Sequence, residues 1–548
     1  MLFQTKEGIR HITYAELLEI VRIYTGTISS LNVKSGDRVV VQSENCVEWA
    51  WIDWACRCLG VIVVPIYPTL PEDQSQYILR DCGAKIAIVG NEEQSAKNQG
   101  VDGVEVIPIQ EIVNRANAKA NVPSVEDWNR QIDSIQPDEV TTIIYTSGTT
   151  GDPKGAMLTH ANFTRICEAT LTFWPLDEND CFLSFLPIAH VYERVAGQAL
   201  PISMGASIAY AQSLRSLATD MVTFKPTIML CVPRVLEALR DRILDGVSKQ
   251  PPLHRKLFSW TLSQGKRRLE KRFAPFAKLL DGLVAKKIRE RTGGKLRFFV
   301  SGGAALPHAV SEFYHSLGMM ILQGYGLTET AAITAANLPS DNRPETIGKP
   351  IPSVEAMFAD DGELLIRGPS RMVGYYNMPE ATAQAIDKDG WFHTGDIGEW
   401  VDGYIKITDR KKDLIVLGNG KNVAPQMIEN RLRESALIDD AVVIGDGMEY
   451  VSALVVPDFN ALRKVAAERG AKNLSNDDLT GLESVRALIK SEISKINKGL
   501  ADYERVKKHA VLDHPFTIES GELTPTLKVK RRVIKEKYKD IIAWLSGE

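Results

Sequence analysis

Tyr145-Thr146-Ser147-Gly148-Thr149-Thr150-Gly151-Asp152-Pro153-Lys154-Gly155 follows directly on the β-prone run Thr142-Ile143-Ile144. Its glycines let the backbone turn tightly and aim N–H groups at an anion, its hydroxyls add donors, and Lys154 adds positive charge. The run reads as a phosphate-holding loop at the end of a strand. It is not a Walker loop, because Pro153 precedes Lys154 and Gly155 follows it, which breaks the spacing GxxxxGK[ST]. A plain Gly/Ser/Thr turn is the competing reading, and the density of donors ending in a lysine weighs against it.

Outward from this loop, short apolar runs recur at residues 39–42, 61–66, 86–89, 142–145, 228–232 and 296–300, separated by helical patterns. Strands spaced by helices predict an α/β fold with largely parallel, layered sheets. From Gly348 the texture turns to shorter β segments and tight turns, as in Asp360-Asp361-Gly362-Glu363 before Leu364-Leu365-Ile366. The charged cluster Asp409-Arg410-Lys411-Lys412-Asp413 then precedes a new apolar strand at 414–417. The expectation is therefore a large N-terminal domain, 1–409, built of two α/β layered subdomains and a β-rich one. A small α+β domain, 410–548, follows it.

At 548 residues the chain exceeds a single hydrophobic core, and 44% hydrophobic with 24% charged residues is ordinary globular composition. A formal net charge of -4 argues against a polyanion binder and excludes nucleic acid as an expected partner. The seven cysteines, Cys46 to Cys231, are odd in number and contain no CxxC pair, so neither a disulfide framework nor a structural zinc site is expected. The opening MLFQTKEGIRHITY lacks the basic-then-apolar layout of a secretory leader, and no apolar run reaches the ~18 residues of a membrane helix. A cytoplasmic protein is expected, with peripheral membrane contact left open. That question centres on residues 266–291, where ten Lys/Arg face three Asp/Glu among Phe273, Phe276, Leu279 and Leu280. A membrane-surface helix and a solvated helical excursion broken at Pro275 both fit the pattern.

Four further segments carry candidate chemistry. In Gln323-Gly324-Tyr325-Gly326-Leu327-Thr328-Glu329-Thr330, a flat aromatic between glycines can lie on a purine face, and a nearby carboxylate can hold magnesium. Ser301-Gly302-Gly303-Ala304-Ala305 ends a predicted strand, where open α/β sheets bind ligands and small residues admit a nucleotide. Trp391-Phe392-His393-Thr394-Gly395-Asp396 and Arg410 supply a carboxylate for ribose hydroxyls and a forked guanidinium. Leu523-Thr524-Pro525-Thr526-Leu527-Lys528-Val529-Lys530 places a lysine in a basic tail.

The run from Tyr145 to Gly155, continued by Ala156-Met157-Leu158-Thr159-His160, resembles the signature of the adenylate-forming superfamily, and the other segments follow in that family's order along nearly the whole chain. The resemblance implies ATP, magnesium and coenzyme A, with the loop residues Thr146, Ser147, Gly148, Thr149, Thr150, Gly151 and Lys154 on the phosphates. It implies Gly302, Gly303, Ala304, Gly324 and Tyr325 around adenine, Thr328 at the α-phosphate, and Thr146 with Glu329 on the metal. Asp396 and Arg410 match the ribose contacts, Lys412 the hinge, and Lys528 the lysine inserted for adenylation; Lys528, Glu329, Thr328 and Arg410 are the expected catalytic set. Residues 417–422 would line the thiol path.

The excursion at 235–295 and the wording Leu-Pro-Ile-Ala-His-Val-Tyr-Glu-Arg at 186–194 are similar to long-chain fatty acyl-CoA synthetases, implying a fatty acid substrate. The role of His190, in that wording, stays open. So does a homodimer, since the amino terminus is short for that subfamily. Transfer to a carrier protein and a catalytically silent lipid or nucleotide sensor are the rival functions.

Overall fold

The apolar runs pair with one another in the computed structural model, which describes residues 1–146, 152–468, 474–524 and 529–547. A seven-stranded sheet runs in the order Gly374–Tyr375, Lys154–Thr159, Val140–Thr146, Ile62–Ile66, Arg38–Gln42, Ile86–Val89, Glu105–Pro108. All pairs are parallel except the two made by Lys154–Thr159, which is antiparallel to both neighbours. Alternate residues of one strand feed opposite layers. Val39 and Val41 join Trp49, Ile52 and Ile112, whereas Val40 joins Val64, Ile78 and Tyr145. That two-sided burial is why these strands read as unbroken apolar runs.

A nine-stranded sheet forms the second layer system, ordered Lys349–Pro350, Ala335–Ala336, Met320–Tyr325, Phe298–Ser301, Ile228–Cys231, Cys181–Ser184, Ser207–Tyr210, Leu2–Thr5, Gly8–His11. Its central strands, Met320–Tyr325 through Ser207–Tyr210, are parallel, so Tyr325, Ser301, Cys231, Ser184 and Tyr210 mark one carboxyl edge. Between Ile228–Cys231 and Phe298–Ser301 the chain makes the helices Pro233–Ser248 and Pro252–Leu269, breaks around Pro275, and resumes as helical turns from Ala277 to Glu290. Among the described residues no helix is long and apolar enough to cross a membrane.

The chain divides into two units: Met1–Met357 with Leu365–Thr394 and Val401–Ile405, and Lys406–Glu548 with Phe358–Leu364 and Gly395–Trp400. The strands Glu355–Phe358, Glu363–Arg367, Phe392–Val401 and Tyr404–Arg410 account for the β-rich texture after Gly348, and their residues fall in both units. The smaller unit is α+β. Its sheet, Ile438–Ile444, Ser452–Pro457, Lys508–Val511, buries Val443, Ala453 and Val455 against Ile428, Ile489 and Ile493 of two helices. The opposite face buries Val442, Leu454 and Val456 with Ile534, Tyr538 and Leu545.

Candidate active site

Thr146 and Lys154 are register partners on the antiparallel strands that flank the glycine-rich run. Ser147, Gly148, Thr149, Thr150 and Gly151 lie outside the described residues; the two ends that hold them do not. Thr146 Oγ1 donates to the Lys154 carbonyl at 3.4 Å. Gly155 is required by packing, since a Cβ there would meet Ile143 Cγ2 at 2.6 Å. The chain therefore leaves the loop into a strand, and the helix comes only after it, at His160–Phe173, capped by a reciprocal pair between Thr159 and Asn162.

The outer side of Lys154–Thr159 pairs with Gly374–Tyr375, setting Tyr375 opposite Ala156. This register brings the Lys154 ammonium to 5.3 Å from the Tyr375 ring centroid. The same tyrosine donates its Oη to Glu329 Oε1 at 2.9 Å, and the Met372 N–H donates to the Glu329 carbonyl at 2.8 Å. Burial, reinforced by the Glu329 carboxylate, pushes the Tyr375 phenol well above its ordinary range, so it stays a donor. Tyr375 is absent from the sequence-derived set. Gly374-Tyr375-Tyr376 carries no local signature, and only the sheet register gives the ring its place.

Thr328 and Glu329 sit on the short turn Thr328–Thr330, anchored by the buried Thr330, whose Oγ1 accepts from the Leu327 N–H at 2.9 Å. The turn is reached through Gly326, where a Cβ would lie 1.9 Å from the Ala332 carbonyl oxygen. Gly324 and Tyr325 close the preceding strand, which is registered with Gln323 opposite Ser301. Gly302, Gly303 and Ala304 leave the neighbouring strand end. Gly303 has φ +80°, and a Cβ on Gly302 would press to 3.2 Å from the Tyr192 ring, itself fixed by its Oη donating to the Val300 carbonyl at 2.9 Å. Ser301 Oγ is buried with no hydrogen-bond partner among the described residues. The predicted adenine-side segments thus share one carboxyl edge of the second sheet.

His190 Nδ1 accepts from the Tyr192 N–H at 3.0 Å, and its ring lies 6.3 Å from that of Tyr67. The next two charged residues are buried. Arg194 donates through Nε to Asp53 Oδ2 at 3.1 Å and through a second nitrogen to Asp53 Oδ1, and it reaches Thr142 Oγ1 at 2.5 Å. Arg57 joins the same carboxylate at 3.2 Å. Burial alone would raise the Asp53 carboxyl, but the two guanidiniums hold it below its ordinary value. Glu193 accepts from Gln198 Nε2 at 3.3 Å, and burial pushes its carboxyl up to about 7.

In the smaller unit, Asp396 Oδ1 lies 3.0 Å from Arg410 Nε, pairing the two predicted ribose contacts. Asp409 is buried, accepting from the Arg410 and Gln426 N–H groups, and burial lifts its carboxyl to about 6. Lys412 is exposed. Lys528 lies outside the described residues. Among the described residues no group of three or more His, Cys, Asp or Glu forms a metal cage. Magnesium does not require one: it keeps several waters and takes one or two protein oxygens plus phosphates, a donor set that the Glu329 carboxylate and Thr146 hydroxyl suit.

The model of the AMP-binding enzyme family matches residues 2–376, and that of the AMP-binding enzyme C-terminal domain matches residues 412–545. The chain belongs to the AMP-binding enzyme family. It is 34% identical to the long-chain-fatty-acid–CoA ligase FadD15 of Mycobacterium bovis, over 96% of this chain and 91% of that protein. With human long-chain-fatty-acid–CoA ligase 1 it shares 31% identity over 91% of this chain and 77% of that one. The fold is that of ATP-bound MatB from Rhodopseudomonas palustris, with a TM-score of 0.73 and 24% identity, covering 98% of this chain and 96% of that chain.

Proposed function

We propose that this protein is a long-chain fatty acid–CoA ligase that joins a fatty acid to ATP as acyl-AMP, releasing pyrophosphate, and then forms acyl-CoA and AMP. What carries the reading is the meeting of Lys154 and Glu329 on Tyr375 in a chain whose relatives are named long-chain fatty acid–CoA ligases. A carboxylate is a poor electrophile, so a thiol cannot displace its oxygen until that oxygen has been made part of a better leaving group. In the first half-reaction the carboxylate attacks the α-phosphorus, and both the attacking oxygen and the departing pyrophosphate carry negative charge. Lys154, the loop donors from Thr146 to Gly151, Thr328 and Lys528 offset it, since such transfers depend mainly on positioning and electrostatics. Glu329 and Thr146 would hold magnesium, which would supply further positive charge against the negative charge of the phosphates.

Gly302, Gly303, Ala304, Gly324 and Tyr325 receive the adenine, and Asp396 with Arg410 the ribose. Residues 1–409 serve as the adenylation domain, and residues 410–548 turn about Lys412 so that the thiol of coenzyme A replaces Lys528 at the acyl carbon. No covalent enzyme intermediate is needed. The protein works in the cytoplasm and meets its lipid substrate at a membrane surface.

Fatty-acid-dependent exchange between ATP and labelled pyrophosphate, across chain lengths, tests the first step. Adding coenzyme A or a carrier protein then tests the acceptor. Exchange with long-chain acids and thioester formation only with coenzyme A is the expected result; no exchange with any acid rejects the reading in favour of a silent sensor.

A further inference from the structure

We propose that the outer face of residues 253–287 docks this protein on an anionic lipid bilayer. This names the physical partner at which the proposed ligase meets its substrate, and so rests on that reading for its purpose, though not for its test. The inner face of this excursion is firmly seated. Phe258 is buried with its ring 6.4 Å from that of Phe313, and Gly265 lies so close to the helix His308–Ser316 that a Cβ would fall 2.1 Å from the Ser316 carbonyl oxygen. Lys266 ties to Glu312 at 2.9 Å, and Arg289 to Asp281 at 2.7 Å. A scaffold held this way does not explain its opposite face.

That opposite face is apolar and basic at once. Phe273 is 78% exposed, Leu279 59%, Leu283 51% and Phe276 46%. Trp260 and Phe276 rest against each other at 5.0 Å, so the helix Pro252–Leu269 and the segment after its break present one aromatic surface. Interleaved with these are the exposed cations Arg267, Arg268, Lys271, Arg272, Lys278 and Lys287. Clustered exposed apolar side chains mark interaction sites, and this cluster carries a strong local positive excess in a chain of net charge -4.

Charge decides among the occupants. A second copy of the chain docked through this same face would bring like cations against one another. A nucleic acid would use the cations and the aromatic rings, but it would leave the exposed Leu279 and Leu283 without an apolar partner. An anionic bilayer satisfies both components, with cations at the phosphates and aromatic and leucine side chains entering the interfacial layer.

The test is co-sedimentation of the full-length protein with phosphatidylcholine vesicles, with and without one-third phosphatidylglycerol. Binding is expected with the anionic vesicles, falling at high salt, and much weaker with phosphatidylcholine alone. The variant R267Q/K278Q is expected to bind about fivefold more weakly per cation removed, and F273S/F276S at least about tenfold more weakly. Both variants are expected to keep wild-type pyrophosphate exchange with a short soluble acid, which reports intact folding, and to lose turnover of long-chain acid supplied in vesicles. The proposal is overturned if anionic vesicles leave the protein in the supernatant or if both variants bind like wild type. It is equally overturned if the variants abolish self-association and nothing else, which would make the face a dimer surface. Absence of exchange with every acid, with vesicle binding intact, would reject the ligase reading alone.

Discussion

Tyr375 donates a 2.9 Å hydrogen bond to Glu329 while its ring lies 5.3 Å beneath the ammonium of Lys154. One side chain therefore touches both the proposed metal-binding carboxylate and the proposed phosphate-binding cation, although the three residues come from separate parts of the sequence. Tyr375→Phe keeps the ring under Lys154 and removes only the donor to Glu329. A hydrogen bond to a charged acceptor is worth roughly 1.5–3 kcal/mol, so pyrophosphate exchange is expected to fall on the order of tenfold, with a shifted magnesium optimum. Unaltered rate and magnesium response in Tyr375→Phe would mean that the bond has no part in positioning Glu329.

Lys528 and Glu329 are assigned to the same half-reaction but to different charges. Lys528→Ala is expected to abolish exchange and spare thioester formation from supplied acyl-AMP. Glu329→Ala is expected to raise the magnesium concentration needed for exchange. Both are read in the exchange assay with a magnesium titration; equal loss of both half-reactions in Lys528→Ala would reject a lysine that acts only in adenylation.

The parts of the molecule legible in the sequence are those with local causes. Val39, Val40 and Val41 read as a doubly buried strand because each is β-branched and none is polar, and they form one. Ile143-Ile144-Tyr145 reads as a strand running straight into the glycine-rich segment, and it lies in the strand Val140–Thr146. What was not legible joins residues with nothing local in common. Tyr375 and Glu329 are 46 residues apart, and Arg194 and Asp53 are 141 apart; neither pair has a spacing rule, because sheet register and helix packing bring them together. At residues 266–291 composition gave the charges and the aromatics, but only the seating of Phe258 and Gly265 reveals which face is left outward.

Among the described residues the Asp53 carboxylate is the counter-charge that pairs with Arg194, and it is shared with Arg57. Removing one partner of a buried ion pair leaves uncompensated charge in a low dielectric and costs about 3–5 kcal/mol. Asp53→Ala strands two guanidiniums and is expected to lie at the upper end of that range, whereas Arg194→Met leaves the Asp53–Arg57 pair intact and is expected to cost less. Thermal unfolding of the two variants at neutral pH gives the order directly. A milder effect for Asp53→Ala than for Arg194→Met would show that the other contacts of the Arg194 guanidinium, such as the one over the Trp49 ring at 5.6 Å, outweigh its pairing with Asp53.

Glu193 gives a pH dependence whose sign is fixed by its burial. Its carboxyl is raised from 4.5 to about 7 in the folded protein. Below 4.5 it is protonated folded and unfolded alike. Between 4.5 and about 7 the unfolded chain releases the proton while the fold retains it, so unfolding is increasingly favoured as pH rises, by up to about 3 kcal/mol from this group. Glu193→Gln keeps a neutral side chain of nearly the same shape, able to bond with Gln198 and Ser184, and loses the titration. Denaturant unfolding at a series of pH values is expected to show the variant gaining on the wild type as pH climbs from about 5 to 8, with the two converging in acid. A constant offset between them over that range would place the Glu193 carboxyl at an ordinary value and remove it as a source of alkaline destabilisation.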